Sequence, residues 1–78
     1  MSNLQKAVYH AKYARRWAKS ARGWRDLLDR GSVAASWELA HSLEIYNRDI
    51  TLAGYYLRLA NGAPIVDAPA VNMAVWDY

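Results

Sequence analysis

Residues 4–21, LQKAVYHAKYARRWAKSA, place small and apolar side chains at a regular helical spacing. At the start of this stretch, Ser2 and Gln5 fit the capping-box pattern, in which a hydroxyl and an amide satisfy free backbone groups at a helix start. Apolar residues that recur at alternating steps of three and four lie on one narrow side of a helix. This alanine seam consists of Leu4, Ala7, Ala11, Ala14, Ala18 and Ala21. The sequence therefore predicts a first helix with one side suited to close packing.

The end of the first helix is predicted from charge spacing and glycine placement. Gly23 interrupts the pattern and costs about 1 kcal/mol relative to alanine in a helix. Arg25 and Asp29, however, are opposite charges four residues apart, a spacing that stabilises only a continuous helix. Gly31 suits a left-handed C-terminal stop. We therefore predict helix 1 at about 3–30.

A second helix is predicted at about 33–61, with Ser32 as its N-cap and Gly62 just past its end. A break near residues 47–49, where Asp49 would cap a shorter third helix, is the alternative. The predicted seam of helix 2 again follows steps of three and four and comprises Ser36, Leu39, Leu43, Tyr46, Ile50, Ala53, Leu57 and Ala60.

The two seams differ in side-chain size, since the first is mostly alanine and the second mostly leucine, isoleucine and tyrosine. Large side chains that interdigitate with small ones allow antiparallel helices to approach closely. A turn near Gly31 places Ala18 opposite Leu43. By the same register, Ala11 lies opposite Ile50. The predicted fold class is all-α, a single domain built as an antiparallel helical hairpin of two long helices.

The C-terminal residues, 62–78, change in composition, with two prolines, two charged residues and a final Trp76. Asp67 followed by Pro69 is typical of a short helix start, and an extended tail is the alternative. This segment either covers the hairpin or docks on another chain.

Length and composition limit the possible classes of protein. A chain of 78 residues buries only about 60% of its unfolded surface, so its core is small. The chain has no cysteine, so neither a disulfide nor a thiolate zinc site stabilises it. It also contains no apolar run near the roughly 18 residues that span a bilayer, and no secretory signal. We expect a cytoplasmic protein that binds no membrane and gains stability from a partner or from oligomerisation.

The net charge of +3 is unevenly divided: residues 1–25 carry seven basic and no acidic side chains, and residues 26–78 carry three basic and seven acidic ones. On a helical wheel, helix 1 separates these charges from an aromatic edge of Tyr13, Trp17 and Trp24. The basic face consists of Lys12, Arg15, Arg16, Lys19 and Arg22. Four alternatives are open for the surroundings of such a face: solvent, internal acids on helix 2, an acidic protein partner, or nucleic acid.

Helix 2 carries a second apolar stripe of Leu52, Tyr56 and Leu59. A helix that is apolar on two faces needs two neighbours. With Trp76, this stripe is a candidate second interface. Its neighbour is the C-terminal segment, a target, or a second copy that completes a four-helix bundle as a homodimer.

No catalytic or metal motif is complete. Glu38 and His41 form an E-x-x-H pair, but a carboxylate-bridged metal site needs a second copy of it, and both residues point away from the predicted seam. His10 is interpreted as a partly buried edge residue. No glycine-rich phosphate loop is present. We predict no enzymatic activity, no cofactor and no metal.

The remaining class is a protein-binding module. In size and in lacking a catalytic motif, the chain resembles the small inhibitors and adaptors that phages and mobile elements encode, anti-CRISPR proteins among them. That resemblance implies steric occupation of a surface on a larger protein. We expect Tyr13, Trp17 and Trp24 to anchor in a hydrophobic recess whose acidic rim meets the basic face. The alternative is a non-specific nucleic-acid-binding protein that uses the same basic and aromatic side chains.

Overall fold

The computed structural model of the chain describes residues 1–65 and Pro69. Over this part the chain forms two helices and no strand: α1 spans Asn3–Asp29 and α2 spans Ala35–Ala60. The all-α helical hairpin predicted from the sequence is confirmed, and both helices end within two residues of their predicted bounds. The predicted C-terminal helix or tail lies almost wholly outside the described residues.

Helix α1 begins and ends as predicted. The backbone N–H of Gln5 donates to Ser2 Oγ over 3.1 Å, and the N–H of Ser2 donates to Gln5 Oε1 over 2.8 Å, which completes the capping box. The helix continues through Gly23. It stops before Gly31, whose φ of 97° is a left-handed conformation that favours glycine.

The start of α2 differs from the prediction, because Ser32 is not its N-cap. The N-cap position is Ala34, which makes no side-chain capping bond. The N–H of Ser32 donates to the carbonyl of Leu27 over 3.0 Å, so this residue closes α1 instead of opening α2. The hydroxyl of Ser36 donates to the carbonyl of Val33 over 2.8 Å.

Helix α2 is continuous across residues 47–49, so the alternative of a break there is wrong. Asp49 does not cap a third helix but is buried within α2, with 1% of its surface exposed. Its carboxylate has side-chain partners instead of backbone ones: Oδ1 lies 2.9 Å from His10 Nδ1 and Oδ2 lies 3.1 Å from Arg48 Nη2.

Contacts between the helices show that they run antiparallel. Lys6 Nζ lies 5.2 Å from the centre of the Tyr56 ring, near the open end of the hairpin. The hydroxyl oxygens of Ser20 and Ser42 lie 3.4 Å apart, nearer the loop. Residues later in α1 therefore contact residues earlier in α2, which is the antiparallel arrangement that the predicted register requires.

The side that each helix buries is rotated from the predicted seam. On α1, Ala7, Ala14 and Ala21 are buried as predicted, but Leu4 and Ala11 are exposed. On α2, only Ala53 of the predicted seam is buried. The residues that α2 buries are Ala35, Ser42, Ile45, Asp49, Leu52, Ala53 and Tyr55. Most of them precede a predicted seam position by one residue, which is a rotation of about 100°.

The physical reason for the rotation is the large ring of Trp17. This side chain is 7% exposed and packs on Ile45, with Tyr13 and Tyr46 against the same cluster. A buried tryptophan contributes far more apolar area than the alanines beside it. Turning both helices toward Trp17 therefore buries this ring, which the predicted contact between the two seams would have left outside the core.

Candidate interaction surface

Rotation of the helices leaves much of both predicted seams on one side of the hairpin as an apolar groove. Near the open end, the groove is lined by Leu4, Val8, Ala11, Ile50 and Leu57. Near the loop, it is lined by Ala18, Arg22, Arg25, Leu39, Leu43 and Tyr46. The predicted neighbours therefore do lie together, Ala18 with Leu43 and Ala11 with Ile50, but along an open groove and not in a buried core.

The shape of the groove follows from the side-chain sizes on its two walls. Ala11 and Ala18 leave space beside α1, while Leu43 and Ile50 project from α2 and are 44% and 45% exposed. The groove consists of two depressions that follow one another along the same two helices, between Leu4 and Arg25 on α1, a stretch of about 31 Å at a rise of about 1.5 Å per residue. Exposed apolar surface of this kind marks an interaction site on a small protein.

The basic face lies on the outer side of α1, next to the groove. All five of its side chains are exposed and line one shallow depression. Within residues 1–65, the ion pairs join Arg30 to Asp26, and His10 and Arg48 to Asp49; none involves the basic face. Asp49, an acid on α2, pairs with His10 and Arg48 and not with the basic face. Arg22 belongs to both the basic face and the groove.

The aromatic edge does not face outward as a unit. Trp17 is buried between the helices, so the prediction that it anchors in a partner is wrong: its ring is the anchor of the hairpin itself. Tyr13 is half-buried against the same cluster. Trp24 is half-buried and lines a depression with Arg16 and Glu38.

The second predicted interface is also largely internal. Leu52 is 7% exposed and lies on the side of α2 that faces α1, so its assignment to a partner surface is wrong. Tyr56 is half-buried, and its ring stacks on His10 with centroids 5.7 Å apart and planes inclined by 8°. Leu59 is half-buried. Trp76 lies outside the described residues.

Sequence reasoning missed a polar network between the helices. His10, correctly predicted as partly buried, meets the carboxylate of Asp49, and Ser20 meets Ser42. A buried carboxylate needs partners that replace its lost hydration, and His10 and Arg48 supply them. The signal was a second set of positions on helix 2 at steps of three and four, in which polar and apolar residues alternate, so hydrophobicity alone does not register it. These positions are Ser42, Ile45, Asp49 and Leu52.

Trp37 was also missed. It lies in the first turn of α2 and is 82% exposed, the largest exposed fraction of any described tryptophan. Val33, four residues earlier, is similarly exposed. Tryptophan is highly buried on average, so its exposure at the loop end makes this a further surface at which a partner can bind. In the sequence, Trp37 was distinguished solely by its absence from both predicted seams.

The E-x-x-H pair was predicted to point away from the seam, and because the helices are rotated it borders the interface that they form instead. The His41 ring meets the Trp17 ring edge-on, with centroids 6.1 Å apart, and Glu38 is half-buried. Among the described residues, no three His, Cys, Asp or Glu side chains cluster closely enough to hold a metal ion. Within the same part of the chain, neither helix has the apolar character needed to cross a membrane.

No known protein family, characterised protein or solved structure matches this chain. Function is therefore inferred from three surface features: the apolar groove, the basic face and the exposed ring of Trp37.

Proposed function

We propose that this chain is a small, non-enzymatic protein-binding module that acts in the cytoplasm as an inhibitor or adaptor. It works sterically, by covering a surface of a larger protein, in the manner of accessory proteins of phages and mobile elements such as anti-CRISPR proteins. The observation that carries the proposal is the apolar groove, where Leu43, Ile50 and Leu57 remain exposed in a chain with little core. Exposed apolar surface of this extent is typical of interfaces.

The basic face supports the same proposal. Its exposed charges adjoin the groove at Arg22, so an apolar contact and an electrostatic contact are available to one partner. An acidic rim around the partner's apolar surface accelerates encounter and orients the complex. We expect the apolar surface of the partner to receive the groove side chains, since Trp17 serves the hairpin core and Trp24 lines a separate depression with Arg16 and Glu38.

The test is affinity capture from the native host with a matched pair of variants. Ile50→Glu places a charge in the groove, and Thr51→Glu places the same charge on the neighbouring exposed residue of α2. Nuclease treatment removes partners held through nucleic acid, and circular dichroism confirms that both variants remain helical. We expect the wild type and Thr51→Glu to retain the same protein and Ile50→Glu to lose it. Equal retention by all three would exclude the groove.

Non-specific nucleic-acid binding is the second candidate. The observation that favours it is the position of Trp24, which lies half-buried beside Arg16 in one depression. Single-strand binding combines cationic side chains along the backbone with rings on which bases stack. Burial of Trp17 removes one of the rings that this function needs, which is why protein binding is preferred.

A further inference from the structure

We infer that the apolar groove binds one amphipathic α-helix of the partner, with acidic side chains concentrated along the part of that helix that meets Arg22 and Arg25. This inference rests on the proposed function and names the chemistry of the partner.

The length and the walls of the groove fit a helix. About 31 Å corresponds to roughly 20 helical residues at 1.5 Å each. Ala11 and Ala18 allow a third helix to approach α1 closely, while Leu43 and Ile50 offer branched side chains to fill its grooves. The bound helix would complete a three-helix arrangement and bury the exposed half of the predicted seams, by the helix-in-groove mode of recognition.

Charge decides the character of that helix. Arg22 and Arg25 line the loop end of the groove and are exposed, and neither forms an ion pair within residues 1–65. None of the described residues that line the groove is acidic. A helix with glutamates or aspartates beside its apolar side would therefore find opposite charges at the loop end and neutral surface at the open end.

The same charges disfavour a second copy of the chain as the occupant. A second copy that presented the same groove would bring Leu43 and Ile50 together but would supply no acidic lining residue to Arg22 or Arg25. The long apolar floor likewise offers nothing to a phosphate backbone, which is read mainly by cations. An acidic amphipathic helix can contact the apolar lining with its apolar side and pair its carboxylates with Arg22 and Arg25 at the loop end.

The test uses two synthetic 21-residue helical peptides with identical leucines at i, i+3, i+4 and i+7 spacing. One carries glutamate beside the leucines and the other carries lysine. Binding to the full chain is measured by fluorescence anisotropy, and amide shifts in NMR spectra locate the site. We expect the glutamate peptide to bind at least about tenfold tighter, as one or two ion pairs and steering allow, and to shift Ala11, Ala18, Leu43 and Ile50.

Charge variants make the test specific. Arg22→Glu combined with Arg25→Glu should reverse the preference, so that the lysine peptide binds tighter, because both arginines are exposed at the loop end of the groove. Circular dichroism checks that α1 remains helical, since the variant loses the favourable spacing of Arg25 and Asp29. Arg58→Glu is the matched control, since Arg58 is exposed but belongs neither to the groove nor to the basic face. It should leave the preference unchanged. Ile50→Glu should weaken both peptides at least about tenfold.

Three results would overturn the inference: equal binding of both peptides, binding of neither, or a dimer in sedimentation equilibrium that Ile50→Glu dissolves. The last would assign the groove to a second copy. Loss of the inference is distinguishable from loss of the proposed function. If neither peptide binds while host capture still depends on Ile50, the chain binds protein but not an acidic helix; if capture fails as well, both proposals fail.

Discussion

His10 Nδ1 and Asp49 Oδ1 lie 2.9 Å apart across the interface between α1 and α2. The carboxylate is 1% exposed, and its second oxygen accepts a hydrogen bond from Arg48. Removing one partner of a buried ion pair leaves the others without compensation for their lost hydration. We expect Asp49→Ala to lower the free energy of unfolding by about 3 kcal/mol, measured by urea denaturation followed by circular dichroism.

The triple variant His10→Leu, Arg48→Leu and Asp49→Leu, which replaces the whole buried network, tests whether that network stabilises the fold. Apolar side chains of similar volume are often neutral or stabilising in place of a buried ion pair or triad, so this variant should unfold at a urea concentration near or above that of the wild type. A single Asp49→Ala variant as stable as the wild type would show that the network contributes nothing to the fold.

Ile45 and Ile50 provide a matched test of which side of α2 is buried. Ile45 is fully buried against Trp17, whereas Ile50 is 45% exposed in the groove. We expect Ile45→Ala to cost about 3 kcal/mol, because it leaves a cavity, and Ile50→Ala to cost less than about 1 kcal/mol. Thermal unfolding of both variants gives the comparison. The opposite order would restore the predicted seam as the core.

Local signals in the sequence were sufficient for the helices. The capping box at Ser2 and Gln5, the charge spacing after Gly23 and the stop at Gly31 each act within a few residues, so they can be recognised without the partner helix. The hairpin and its register followed, because two helices joined by a short loop pack antiparallel.

The rotation of the helices could not be predicted in the same way. Positions 42, 45, 49 and 52 follow the same steps of three and four as positions 43, 46, 50 and 53, and only the second set is mostly apolar. Ser42 and Asp49 are buried because Ser20 and His10 on α1 pair with them. The hydrophobic pattern of one helix contains no information about polar partners on the other helix. It therefore predicted that the residues lining the groove form the core.

Part of the candidate surface was nevertheless predicted. The basic face is exposed, as charge segregation on helix 1 indicated. The groove was missed because its residues were assigned to the core, and Trp17 was misassigned because alanines were expected to fill the hairpin contact. Both errors have one origin. The observed rotation of the helices places Trp17 in the core and leaves predicted core residues such as Leu43 and Ile50 exposed in the groove.

Trp17 and Trp37 should respond in opposite ways to replacement by alanine. Trp17 is 7% exposed and Trp37 is 82% exposed. We expect Trp17→Ala to cost about 4 kcal/mol, as for other large buried rings, and Trp37→Ala to change stability by no more than about 0.5 kcal/mol. Intrinsic fluorescence should also report the difference, with Trp37→Ala removing a red-shifted component of the emission and Trp17→Ala a blue-shifted one. A destabilising Trp37→Ala would place that ring in the core.

Replacement by alanine is expected to change stability in opposite directions at Gly23 and Gly31. A Cβ at Gly23 meets no atom within 4 Å, and the residue lies inside α1, so Gly23→Ala should stabilise the chain by about 0.5–1 kcal/mol. Gly31 has a φ of 97°, which alanine adopts only with strain, so Gly31→Ala should destabilise it by about 1 kcal/mol or more. Melting temperatures of the two variants test this. A Gly23→Ala variant that melts below the wild type would contradict a regular helix at this position.

Nucleic-acid binding is expected to be weak and governed by salt. If all five side chains of the basic face met phosphates of a single strand, the logarithm of the affinity would fall with the logarithm of salt concentration with a slope of about −3.5. Arg15→Gln with Arg16→Gln should then reduce the slope by about 1.4.

Trp24→Ala distinguishes incidental charge attraction from a nucleic-acid function. Because Trp24 is half-buried beside Arg16 and Glu38, we expect its removal to change affinity for a labelled 20-nucleotide DNA strand by less than about twofold, measured by anisotropy at low salt. A stacking ring contributes about 1–3 kcal/mol per base, which is a loss of roughly five- to 150-fold. A loss in that range at about 150 mM salt, with the helix content of the variant unchanged, would favour nucleic-acid binding over protein binding, because only base stacking makes the ring itself essential.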